Sequence, residues 1–411
     1  MKTLIKPLTW IASVIILIFT SCSKGESPFI EGELLLTDRE LVKVKHDNKF
    51  AFKAYQKLVT ELNPNDNFFF SPLSISSVLA MTAYGARETT QSEMYKALEL
   101  EEFTPQEINN YNKKLITNLP ILEKNTKLKL ANSLWYNQDF TFLPDFIEAS
   151  KENYFAKVSP IDITSPKSIE LINNWISDQT EGLIPEMVKE IDPYLAMWLV
   201  NAIYFKGIWH TRFDKTKTTK ENFTTADKQA VSTSFMNLDA AFKINVNQDF
   251  NMVHVPYKNK KFEMVLLKPS QGKTMVDLQN KLQDENVLTE AFSKSSEANV
   301  SLSMPIMKIK YKTKLNKTLE HLGMVQAFVP GIANFYGIID SRKTYISKVE
   351  HEAVIDVNEE GSEAAAVTVV DLVTFSANPG PVKIRFDQPF IFVIREVSSG
   401  LILFMGQYNK P

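Results

Sequence analysis

Nucleophiles, bases and metal-binding side chains are plentiful in this chain, but the spacings that would combine them into an enzyme are missing. There is no Gly-x-Ser-x-Gly turn to raise a serine, no phosphate-cradling glycine-rich loop and no Gly-x-Gly-x-x-Gly fingerprint. His351-Glu352 opens like the paired-histidine helix of a zinc hydrolase, yet the fifth position is Ile355, so the second ligand is absent. His46, His210, His254 and His321 share no ligand spacing. A single cysteine, Cys22, rules out an internal disulfide and a cysteine-based zinc site. Neither catalysis nor a cofactor is expected.

One segment does stand out. Val357-Asn-Glu-Glu-Gly361-Ser-Glu-Ala-Ala-Ala-Val-Thr368 continues through Val-Val-Asp-Leu-Val-Thr-Phe375-Ser-Ala-Asn-Pro-Gly-Pro381. It starts acidic, passes a glycine, and then runs through small and β-branched residues. At a period of two, Ser362, Ala364, Ala366, Thr368, Val370 and Leu372 share one face, and Glu363, Ala365, Val367, Val369, Asp371 and Val373 the other. Both carboxylates of that stretch therefore fall on the same side. Such a strand could enter an existing sheet with its small residues inward and its charges in water. Three consecutive alanines followed by turn residues also suit an exposed loop or a short helix, and composition alone favours an ordinary surface loop.

Cys22 sits where export chemistry would use it. Lys2 and Lys6 precede an apolar run from Leu8 to Phe19, which is short for a membrane span and closes on Phe19-Thr-Ser-Cys22. Residues 1–21 are therefore expected to be a secretory signal. The ending resembles a bacterial lipoprotein box, which implies lipidation of Cys22, a tether over 22–34, and a chain anchored to a bacterial membrane or released outside the cell. A plain signal peptide or an uncleaved anchor are the alternatives. Asn222, Asn299 and Asn316 head glycosylation sequons that a bacterial lipoprotein would leave silent.

These residues need a scaffold, and the composition supplies one. With 44% apolar positions, 27 Phe and 23% charge, the chain has material for a large core and is not a disordered one. A net charge of −2 provides no broad basic field, so a nucleic-acid partner is not expected. No internal repeat or long linker divides the body, which is expected to be a single domain over 35–411. Helical spacing marks Asn48 to Leu62, Ser74 to Tyr84 and Ser92 to Leu100. Strand character takes over in Leu128 to Trp135, and Met197 to Phe205 is apolar on both faces, as a central strand should be. His254 to Tyr257 pairs with Phe262 to Leu267 around a Lys-Asn-Lys-Lys turn, and Ser398-Ser-Gly400 joins two late strands. Early helices and late strands point to an α+β fold.

Four stretches then resemble the serpin family, in the family's order: Asn67-Phe-Phe-Phe-Ser-Pro-Leu-Ser-Ile-Ser76, Leu199-Val-Asn-Ala-Ile-Tyr-Phe-Lys-Gly-Ile-Trp209, Phe386-Asp-Gln-Pro-Phe-Ile-Phe-Val-Ile-Arg-Glu396 and Leu403-Phe-Met-Gly406. The resemblance implies three β-sheets, one of them large and central, eight or nine helices, and an exposed reactive loop over about 359–381. It also implies a monomeric suicide inhibitor of serine proteases, sometimes of cysteine proteases. Glu359, Glu360, Gly361, Ser362, Glu363, Ala364, Ala365 and Ala366 match the hinge of inhibitory members, with Val367 bulkier than is usual. Ser71, Ser74, Asn201 and His351 match the shutter beneath the large sheet, and Trp209 the breach where insertion begins. The family's loop spacing puts the cleaved bond at Phe375-Ser376. Phe375 suits a chymotrypsin-like protease, and slippage to Thr374, Val373 or Leu372 would admit elastase-like ones. A non-inhibitory serpin serving as a binding or surface-interaction protein is the competing expectation.

Overall fold

The computed structural model describes residues 33–193, 195–284, 286–339, 344–362 and 380–411. Cys22, the expected signal and most of the tether lie outside the described residues. So do Glu363, Ala364, Ala365, Ala366 and the Phe375-Ser376 bond.

In chain order the first half carries α1 (Asp38–Glu61), β1 (Phe68–Phe70), α2 (Pro72–Gly85), α3 (Glu88–Ala97), α4 (Pro105–Asn118), β2 (Thr126–Asn137), α5 (Pro144–Tyr154), β3 (Lys157–Ile161), α6 (Pro166–Gln179) and β4 (Met197–Ile208). The second half carries β5 (Thr219–Thr224), β6 (Ala230–Val246), β7 (Phe250–Pro256), β8 (Phe262–Pro269), α7 (Met275–Lys281), α8 (Asn286–Ser293), β9 (Ser296–Pro305), β10 (Met307–Lys314), α9 (Asn316–His321), β11 (Ile346–Asn358), β12 (Gly361–Ser362), β13 (Val382–Arg385), β14 (Phe390–Glu396) and β15 (Ile402–Tyr408). This is an α+β fold with nine α-helices among the described residues.

The strands form a six-stranded sheet in the order β10-β11-β12-β4-β2-β3 and a nine-stranded one in the order β1-β15-β14-β8-β7-β6-β9-β13, with β5 on β6. The 17-residue β6 accounts for the second sheet's length: its N-terminal part pairs with β5, its C-terminal end with β7, and β9 runs along most of it. Two of the three expected sheets are thus hydrogen-bonded into one through a single long strand.

Local chemistry explains the elements. α1 starts at Asp38, well before the periodic stretch at Asn48, because Thr37 caps the Glu40 amide while the Glu40 carboxylate accepts from the Thr37 amide. α2 is buried almost all round, packed against β2, β4 and β15, and mixes aliphatic side chains with small buried hydroxyls such as Ser74 and Thr82. β4 divides two cores. Met197, Leu199, Ile203 and Phe205 face the nine-stranded sheet. Trp198, Val200 and Ala202 face α6 through Ile172 and Ile176. A strand covered on both sides has no polar face to show, which is why its sequence lacks alternation.

Phe69 of β1 lies between Phe404, at 5.0 Å with nearly parallel rings, and Phe392, at 5.7 Å. Phe69→Ala should lower unfolding stability by about 3–5 kcal/mol through the cavity it leaves. Urea unfolding of the two proteins checks this; an unchanged midpoint would show that the site collapses freely.

Candidate functional site

β4 and β11 run parallel at the centre of the six-stranded sheet, with register from Ile346–Met197 to Glu352–Ala202. Beyond that point β12 separates them. Gly361 and Ser362 pair antiparallel with Ile208 and Gly207 on one side and with Asn358 and Val357 on the other. The sheet is therefore closed at one end and wedged open by two residues at the other.

The wedge is held from several directions. The Trp209 amide donates to the Glu360 carbonyl at 3.0 Å, and its indole Nε1 to the Asn358 carbonyl at 2.9 Å. Phe213 N–H donates to the Glu359 carbonyl, and Thr218 Oγ1 to the Glu359 carboxylate at 2.6 Å. Lys215 Nζ reaches Glu360 at 2.6 Å, and that bond holds the lysine pKa above its ordinary value. Gly361 has φ +152°, and a Cβ there would come within 2.0 Å of the Gly207 carbonyl oxygen. Glycine is the residue that fits.

Under the closed end lies a row of buried polar side chains. Register aligns Asn132 of β2, Asn201 of β4 and His351 of β11 across three neighbouring strands. Asn201 Nδ2 donates to Asn132 Oδ1 at 2.9 Å and to the Ser74 carbonyl at 3.1 Å, and its Oδ1 accepts from Ser74 Oγ. His351 Nε2 accepts the Ser71 amide at 3.1 Å, which places the ring proton on Nδ1, 3.3 Å from Asn201 Oδ1. Ser71 Oγ donates to the Leu403 carbonyl and accepts from Ser74 N–H as the cap of α2. The cluster couples α2, the six-stranded sheet and β15 without a charge.

The structure thus brings Ser71, Ser74, Asn201 and His351 into one network, and Trp209 beside Glu359, Glu360, Gly361 and Ser362 in another. His351 and Glu352 are adjacent on a strand and point to opposite faces, so the likeness to a metal motif has no geometric content. Asn132, Thr218, Lys215 and Tyr257 were not picked out from the sequence, nor was Ser77, whose Oγ accepts from Asn132 Nδ2 at 3.1 Å. Asn132 left a signal, a polar residue inside the apolar run of β2. Tyr257, which reaches Ser362, left none.

Residues 45–411 match the family described as Serpin (serine protease inhibitor). The chain belongs to the serpin family. It is 35% identical over 378 residues to human antithrombin-III, covering 89% of this chain and 81% of that protein. Human leukocyte elastase inhibitor is 32% identical over 376 residues, covering 89% of this chain and 98% of its own. Among solved structures, the thermophilic serpin tengpin in its native state superposes with a TM-score of 0.84 at 28% identity, over 93% of this chain and 96% of its own. Human thyroxine-binding globulin bound to thyroxine gives 0.83 at 28% identity, over 90% and 99%.

In this serpin, burial lowers the His351 pKa from its ordinary 6.5 to about 3. The folded chain refuses a proton that the unfolded chain accepts below pH 6.5. Its contribution to stability is complete above 6.5 and is lost as the pH falls towards 3, at about 1.4 kcal/mol per pH unit. Unfolding in urea between pH 7 and pH 4 should show a slope shallower by one proton in His351→Gln than in wild type. Identical slopes would mean that the ring titrates normally.

Proposed function

We propose that this serpin is a covalent, suicide-type inhibitor of serine proteases, extending to cysteine proteases, cleaved at Phe375-Ser376. The carrying observation is the wedge: Gly361 and Ser362 already sit as a strand between β4 and β11, with Ser362 facing inward. In an inserted strand that kept this register, Ala364 would lie beside Phe205 and Ile355, and Ala366 beside Ile203 and Ala353. Thr368 would lie beside Asn201 and His351, and Val370 beside Leu199 and Val349. Every inward position would then receive a small, hydroxyl-bearing or aliphatic side chain, and Glu363 and Asp371 would take the opposite face.

The target's nucleophile attacks the Phe375 carbonyl. The Phe375–Ser376 amide breaks, the Ser376 amine leaves, and Phe375 remains as an ester on a serine protease or a thioester on a cysteine protease. The freed strand then enters the sheet down to about Leu372, the level of Met197 at the foot of β4. Insertion breaks the direct β4–β11 ladder and makes two new ones. At about 1 kcal/mol per bond, the surplus is on the order of 10 kcal/mol once apolar burial is added, comparable with the stability of a whole domain. That energy drags the tethered protease across the molecule and distorts its active site before water can release it. The uncleaved chain is accordingly a kinetically trapped state.

Thr368 would arrive between Asn201 and His351, offering a hydroxyl to both in place of their mutual contact. Phe375 directs the inhibitor to chymotrypsin-like enzymes, with elastase-like ones admitted by slippage. The chain acts as a monomer, is exported through residues 1–21, and is held at a bacterial membrane by lipid on Cys22 through the 22–34 tether. Among the described residues no helix is long and apolar enough to cross a membrane. The competing reading, a non-inhibitory serpin that binds a partner at the surface, leaves the small-residue hinge without a purpose.

Mixing with chymotrypsin should yield an adduct that survives SDS. Cleavage of the loop with no adduct would instead make this a substrate-like member. Ser362→Arg places a charge at a position 1% exposed and should convert inhibitor to substrate. Phe375→Arg should move inhibition from chymotrypsin to trypsin; unchanged selectivity would relocate the reactive bond.

A further inference from the structure

Tyr257 lies just beyond β7, fully buried, with its ring stacked on Trp209 at 4.7 Å and 12°. The ring edge-packs against Phe205 and covers Gly207, where a Cβ would come within 2.6 Å of it. Its backbone is fixed by a β-bridge to Trp209 and by a hydrogen bond that its amide N–H donates to the Phe262 carbonyl. The phenol therefore points from a rigid seat. It meets the Ser362 hydroxyl at 2.8 Å, and among the described residues neither hydroxyl makes another hydrogen bond. Burial raises the phenol's pKa, so it remains a neutral donor and acceptor.

A pair of buried hydroxyls that, among the described residues, satisfy only each other has a specific energetic signature. With both present, seating the hinge makes one bond and strands nothing. With one removed, seating buries an orphan that opening the hinge would return to water, which costs more than the bond itself. With both removed, an apolar pair of nearly the same shape remains, and seating is again tolerated.

We infer that Tyr257 is a positioning residue that latches the hinge into the sheet of the uncleaved chain through Ser362, so that insertion starts from a formed nucleus. This rests on the inhibitory reading for its consequence, though not for its geometry. Two residues already in register spare the loop the slowest step after cleavage, when deacylation competes with insertion. An unlatched hinge must find its register first, and more inhibitor is lost as cleaved product for each protease trapped.

The test uses the full chain, Tyr257→Phe, Ser362→Ala and the double variant. Amide hydrogen exchange is followed in residues 357–362 and at Trp209, with thermal unfolding as the control for folding. Each single variant should raise exchange at these amides about tenfold. The double variant should return towards wild type. The number of inhibitor molecules consumed per chymotrypsin trapped should rise in the singles and fall back in the double. Singles that exchange like wild type would overturn the latch, and so would a double variant more open than either single, because Tyr257 would then only support packing. If wild type gives no SDS-stable adduct while the exchange pattern holds, the inhibitory reading fails and the latch stands. If the adduct forms but the exchange pattern is absent, the latch alone fails.

Discussion

Two parallel strands that are bonded to each other for only part of their length set the terms for everything else in this molecule. β4 and β11 pair from Met197 to Ala202, with one irregularity between Ile346 and Lys348, and are then parted by Gly361 and Ser362. A parallel pair buried on both faces ordinarily closes completely, because an unpaired backbone group inside a core costs free energy. Here Gly207–Ile208 and Val357–Asn358, at the tip of the parted end, are paired by a piece of the same chain, turned back by the Glu359–Glu360 corner and pinned by Trp209, Phe213, Lys215 and Thr218. The sheet has a built-in third partner, and the chain that supplies it continues directly into the small-residue segment.

The polar row beneath the closed end is consistent with that arrangement. An aliphatic row at Asn132, Asn201 and His351 would pack as well and would commit the sheet to one state. Hydrogen-bonded amides and a neutral imidazole define the closed state and, under the proposed mechanism, would leave donors and acceptors for an inserted strand to satisfy. Charges would not serve, since a buried ion that lost its partner during rearrangement would be far more costly than an amide. The row is fully neutral: the imidazole is kept uncharged by burial, and its tautomer is set by the Ser71 amide.

Much of this was legible in the chain. Helical spacing located α2 and α3, β-forming residue types located β2 and β4, and the apolar run on both faces of Met197 to Phe205 announced a central strand. The alternation after Gly361 assigned Ser362 to the inward face before any neighbour was known. What stayed hidden had a common cause. The first turns of α1 were unread because their charged residues carry little apolar periodicity and their start depends on a reciprocal cap. β6 was unread because much of it is solvent-exposed along its length. Tyr257 was invisible because an aromatic residue after a proline at a strand end has no local mark of its partner, 105 positions further along the chain.

By itself the sequence determined the class of fold, the family, and a run of small residues after a glycine, because these depend on side-chain size and short-range spacing. Tertiary structure alone decided that Asn132, Asn201 and His351 stand in one row, that Gly207 must lack a side chain beneath Tyr257, and that Gly361 and Ser362 are already seated between β4 and β11. Those facts depend on strand register and on contacts between distant segments. Register is a collective property of the packed sheet, and a one-residue slip would move every inward side chain to the outer face while leaving the sequence unchanged.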